Sequence, residues 1–98
     1  MSELDQKQST RKAQAAKLMA EDVAALQKVM GTKEGRRTIW RILITTGWDQ
    51  TSYTGNSDTF KKEGQRSIGL LIRQECMRHC LNLYRLMETE NTQEQPNV

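Results

Sequence analysis

At 98 residues, with a formal net charge of +3, 28% charged residues and only 5% aromatic residues, the chain is at most one small domain whose polar ends leave roughly the middle two-thirds for a core. A chain this short buries only about 60–65% of the surface its unfolded form exposes, so oligomerisation or docking is expected to supply what the core lacks. No run approaches the ~18 apolar residues of a membrane span. Met1 to Gln8 also lacks the apolar core of a signal peptide, so the expected place of synthesis and residence is the cytosol.

Residues 1–9 are polar, carry both charge signs and hold one isolated leucine, which predicts a disordered arm. Ser9 or Thr10 is then the expected cap of a first helix running to Met30. Ala15, Met19, Val23, Leu26 and Met30 share one face, and Lys12, Lys17, Glu21, Gln27 and Lys28 occupy the rest. Six further or shared alanines, Ala13, Ala15, Ala16, Ala20, Ala24 and Ala25, favour helix and let a second backbone approach closely.

Gly31 is expected to end this helix in the left-handed conformation, with Thr32 capping the next. The second helix should run from Lys33 to Thr46, with Glu34 in the first turn where a carboxylate suits the helix dipole. Its apolar residues Ile39, Trp40, Ile42, Leu43 and Ile44 spread over more than one face, which predicts a buried central helix. Gly47 closes it and opens a polar loop, Trp48 to Asn56, with a Thr54-Gly55-Asn56 turn signal.

Asn56 or Ser57 is the expected cap of a third helix that continues to Glu88, with Asp58 in its first turn. Ile68, Leu71 or Ile72, Cys76, Cys80, Leu83 and Met87 form its apolar stripe. Gly64 and Gly69 each cost about 1 kcal/mol relative to alanine within a helix, so they point to a close backbone contact or a break near Gly64. From Thr89 onward apolar periodicity ceases, which predicts a disordered tail over residues 89–98. The fold class predicted is therefore all-α, a small three-helix domain over residues 10–88 with a long third helix and disordered termini.

The most specific part of the chain is Gly35-Arg36-Arg37, Trp40-Arg41, Gly47, the Ser- and Thr-rich stretch from Thr51 to Ser57, Phe60, and Gly64-Gln65-Arg66-Ser67-Ile68-Gly69-Leu70. This combination resembles a family of small proteins encoded in the structural gene modules of short-tailed bacteriophages, which share Gly-Arg-Arg, Trp-Arg, a serine- and threonine-rich loop and Gly-x-Arg-x-x-Gly-Leu. The likeness extends from Gly31 to Ile72. It implies a virion or assembly context, without a particular activity.

Lys33, Arg37 and Arg41 form a four-residue ladder, beside which Arg36 sits. Such a ladder can neutralise phosphates. The preferred reading is internal pairing with Glu21, Asp22 or Glu63, which would orient the helices. Lys61, Lys62 and Arg66 can extend a basic patch, although Glu63 interrupts the run and a solvated face is the commoner meaning. Trp40 reads as core; Trp48 and Tyr53 lie in the loop and either meet another subunit or fold back over the core.

Cys76, His79 and Cys80 fall within about one helical turn, but a closed zinc site needs four ligands and no other cysteine or histidine exists. Cysteines at i and i+4 of a helix have Cβ atoms about 5–6 Å apart, beyond disulfide reach, so two free packed thiols are expected. With no phosphate loop, paired carboxylates or catalytic triad pattern, no catalytic residue, metal ligand or cofactor is expected.

The expected role is a non-enzymatic phage virion or assembly component, in the host cytoplasm during assembly and then in the virion. It would bind other virion proteins through Arg37, Arg41, Trp48 and Tyr53, as a homo-oligomer and without a membrane. The alternative is a non-specific nucleic-acid-binding accessory protein of DNA packaging or regulation. In that case Lys33, Arg36, Arg37, Arg41, Lys61, Lys62 and Arg66 contact phosphate.

Overall fold

The computed structural model describes residues 2–92. They form four α-helices: α1 (Glu3–Met30), α2 (Lys33–Thr46), α3 (Asp58–His79) and α4 (Leu81–Thr92). No strand occurs among the described residues.

The first helix starts well before Ser9. Ser2 caps it through a reciprocal capping box, its hydroxyl accepting from the Asp5 N–H while the Asp5 carboxylate accepts from the Ser2 N–H. The segment expected to be an arm is thus helical, and every residue from Ser2 to Asp22 on that helix is exposed. Only the last two turns pack: Val23 and Leu26 are half-buried and Met30 fully buried. Met19, expected on the buried stripe, is 68% exposed because the helix has left the body behind at that point.

Gly31 ends α1 with φ −73° and ψ −14°, not in the left-handed region expected. What forces a glycine near this corner is four residues on. A Cβ on Gly35 would lie 2.7 Å from the Val29 carbonyl carbon, where the start of α2 crosses the end of α1. Thr32 caps α2 as expected, accepting from the Gly35 N–H, and Gly47 closes it with φ +64°.

The second helix buries one face, through Arg36, Trp40 and Leu43 at spacings of four and three. Ile42 and Ile44, expected to be enclosed, are 43% and 44% exposed, since no helix covers the outer side of α2.

The expected long third helix is two. Its N-cap position is Ser57, whose side chain makes no capping bond, and the Asn56 side chain accepts from the Asp58 N–H instead. Cys80 breaks it with φ −155° and ψ 56°. The carbonyl freed at His79 accepts from the Gln27 side chain of α1 at 3.0 Å, so the break is held by a long-range contact. The turn lets α4 fold onto α2 and bury Tyr84, Met87 and Asn91. The apolar stripe shifts with it: Ile72 packs on the core while Ile68 and Leu71 face outward. The expected tail is also shortened, because α4 runs through Thr92; residues 93–98 lie outside the described residues.

The core consists of Met30, Trp40, Leu43, Cys76, Tyr84 and Met87. Burying each such large side chain contributes about 1.5–3 kcal/mol, a thin total for a chain of this length. The Cα envelope measures 66 × 38 × 16 Å, so the helices form a slab with much of its two faces open.

Candidate protein-interaction face

The arginines of the Gly-Arg-Arg segment divide by one residue of helical rotation. Arg36 turns inward, only 8% exposed. Its Nη1 donates to the Met30 carbonyl at 3.0 Å, and its Nε and Nη2 donate to the two Glu90 carboxylate oxygens at 2.6 and 3.1 Å. One planar fork thereby joins the end of α1 to α2 and α4. The hydrogen bond from Arg36 holds the Glu90 carboxyl below its ordinary range, and Glu90 in turn raises the guanidinium. Internal pairing is what the sequence suggested for these arginines; for Arg36 the partner is Glu90, not Glu21, Asp22 or Glu63.

Arg37 points outward and donates to the Asn91 side-chain oxygen at 2.9 Å, while Asn91 donates to the Met87 carbonyl at 2.7 Å. Lys33 and Arg37 line an open cleft with Glu34, Thr38, Glu90 and Asn91, so acidic groups sit among the cations there. Arg41 stands further along α2, beside Thr38, Ile42, Thr45 and Thr46.

Lys62 and Arg66 line a second concavity of about 270 Å³ with Thr45, Thr46, Gly47 and the Gln50 to Ser52 loop. Since Thr45 and Thr46 border both hollows, the structure places Arg41 and the Lys62–Arg66 pair on either flank of the end of α2. Lys61 is exposed nearby on α3, and Arg66 lies 3.5 Å from Glu63. Arg36 is not part of this surface.

The two loop aromatics have separate fates. Trp48 folds back onto the core, and its Cβ would lie 2.8 Å from a Cβ on Gly69. The Arg73 guanidinium lies 4.7 Å from the centroid of its ring and 5.6 Å from that of Tyr84, whose hydroxyl accepts from Arg73 Nε at 2.9 Å. This Trp48–Arg73–Tyr84 stack escaped the sequence reading, as nothing in the spacing of Arg73 distinguishes it from a solvated arginine. Trp48 Nε1 is buried without a hydrogen-bond partner. Tyr53, by contrast, is 77% exposed, and Phe60 is 83% exposed. The exposed aromatic pair is therefore Tyr53 and Phe60, with Ile42 and Ile44 also open on α2.

Cys76 is fully buried, and burial pushes its thiol up to about 11; Cys80 is raised by the same cause. Both are free thiols. No cluster of three or more metal-capable side chains occurs among the described residues, and no helix among them is long and apolar enough to cross a membrane.

A family described as Bbp19-like phage protein matches residues 26–88. That span begins where α1 meets the body and ends within α4, so it covers most of the packed part of the fold, with Val23, Glu90 and Asn91 just outside it. It reaches beyond the motif-bearing stretch from Gly31 to Ile72 on both sides. No curated protein and no solved structure matches the chain.

Proposed function

Because the chain belongs to the Bbp19-like phage protein family, we propose that it is a non-enzymatic component of the phage virion or of its assembly, working by binding other virion proteins as a multimer. The observation that carries this reading is the open apolar surface of a slab with a six-residue core. Tyr53 and Phe60 are exposed around the loop and the start of α3, Ile42 and Ile44 are exposed on different sides of α2, and Arg37 and Arg41 are exposed on that same helix. Exposed aromatic side chains and arginines are the residue types that protein interfaces favour. Trp48 supports this surface from beneath by fixing the loop that presents Tyr53. The protein would act in the host cytoplasm during assembly and stay with the particle.

Quantitative mass spectrometry of purified mature particles against infected-cell lysate tests this. Retention at a defined copy number, matching a portal or tail symmetry, is the expected result. Absence from particles, with no assembly intermediate containing the chain, would overturn it.

The grouping of Arg41, Lys62 and Arg66 around the end of α2, with Lys61 nearby, favours nucleic acid as the second reading. Binding would then be non-specific and fall steeply with salt. Arg36, locked to Glu90 and Met30, would take no part, and Lys33 and Arg37 would contribute less than Arg41 because acidic groups share their cleft.

A further inference from the structure

We infer that the free length of α1 is an antiparallel self-pairing helix, joined to α1 of a second copy of this chain. The pairing rests on the multimeric part of the reading above and names the surface that makes it. Along α1 a stripe with alternating spacings of four and three runs from Leu4 through Arg11, Ala15, Leu18 and Asp22 to Val29. It lies about a quarter-turn around the helix from the Val23, Leu26 and Met30 face that packs on the body. Every residue of the stripe is exposed, with Leu4 at 66%, Leu18 at 60% and Val29 at 41%.

The order of residues along this stripe selects the occupant. Two copies laid antiparallel, with the two-fold axis between Ala16 and Lys17, bring Leu4 against Val29, Arg11 against Asp22 and Ala15 against Leu18 of the second copy, each contact occurring twice. Gln8 meets Ala25 in the remaining layer. Apolar thus meets apolar, cation meets anion, and the small alanine accommodates the leucine. A parallel alignment in register would instead set Arg11 against Arg11 and Asp22 against Asp22. Neither Arg11 nor Asp22 has an ion-pair partner within its own chain among the described residues. At the rim Lys7 approaches Lys28 of the second copy, where the long stems diverge into solvent.

Length favours the same conclusion. The overlap spans about 38 Å, roughly seven turns, which is ample for a two-stranded contact. Alone in water, the unpacked part of α1 is a marginal helix whose stability must come from an apolar face that something covers.

The test uses the full-length protein and charge reversal at exposed positions, which leaves the body untouched. Sedimentation at about 1–100 µM should show wild type as a reversible dimer. Arg11→Asp alone and Asp22→Arg alone should each weaken self-association by at least ~10-fold, because like charges then oppose one another twice. An equimolar mixture of the two variants should recover the dimer as a heterodimer, since each Asp then meets an Arg. A melt followed by tryptophan fluorescence, which reports the body through Trp40 and Trp48, checks that both variants fold. A wild-type monomer at the highest concentration, or a dimer that neither reversal weakens, overturns the pairing. Neither outcome bears on whether the chain is retained in particles, so failure here is distinguishable from failure of the virion reading.

Discussion

Arg36 and Glu90 show how much of this fold one side chain can hold. The guanidinium satisfies a carbonyl at the end of α1 and both oxygens of a carboxylate on α4, 54 positions away. Glu90 titrates below its ordinary range when folded because Arg36 donates to its charged form. A depressed folded pKa contributes stability that is fully present above the ordinary carboxylate value and is lost as pH falls through the folded one. Wild type should therefore lose stability from about pH 5 downward more steeply than Glu90→Gln, which should be weaker at pH 7 but flatter in acid. Urea unfolding followed by tryptophan fluorescence at a series of pH values measures this. Parallel acid curves for the two proteins would show that the pair contributes no linkage. From sequence the inward turn of Arg36 was half legible: pairing was expected, but Glu90 sat in a stretch with no apolar periodicity that read as tail. Its helix exists because Tyr84, Met87 and Asn91 face the core at spacings of three and four, a stripe in which one buried position is an asparagine.

At the scale of elements, the helix crossings are set by glycines whose purpose differs. A Cβ on Gly69 would lie 2.8 Å from the Cβ atoms of both Thr46 and Trp48, where the end of α2 presses on α3. A Cβ on Gly64, one and a half turns earlier on α3, would meet nothing within 4 Å. Gly69→Ala should cost about 1–3 kcal/mol by overpacking, as backbone must move to relieve a contact between two Cβ atoms. Gly64→Ala should stabilise by about 0.5–1 kcal/mol, since only helix propensity and unfolded-chain entropy change. Opposite shifts of the denaturant midpoint are the expected result; equal signs would mean that the crossing is looser than these distances imply. Sequence reasoning found both glycines and offered close contact or a break, without telling them apart, because the distinction depends on what α2 places opposite. The break that does occur, at Cys80, carries neither glycine nor proline and is stabilised by Gln27 on another helix. The start of α1 erred the other way: Ser2-x-x-Asp5 is a capping-box signature, but the lack of apolar residues after it argued for disorder. Boundaries of α2 were legible because Thr32, Glu34 and Gly47 are local signals that tertiary packing did not override.

At the scale of the molecule, two tryptophans sit in the body and α1 sits largely outside it. Trp40 and Trp48 belong to or pack on the core, whereas α1 supplies 28 helical residues of which only the last turns touch that core. Fluorescence therefore reports the body and far-ultraviolet circular dichroism reports α1 heavily. If α1 is covered by a second copy, its melting must depend on protein concentration through mass action, while the body's need not. At low micromolar concentration the dichroism transition should begin at lower temperature than the fluorescence transition. Raising the concentration about 100-fold should move it upward until the two approach coincidence, since non-coincident probes mark a departure from two-state unfolding. Transitions that coincide at every concentration would mean that α1 and the body melt as one unit without help from a partner. A dichroism transition that stays low at every concentration would mean that α1 is helical only while something other than this chain covers it, which would turn the search for its partner toward the rest of the particle.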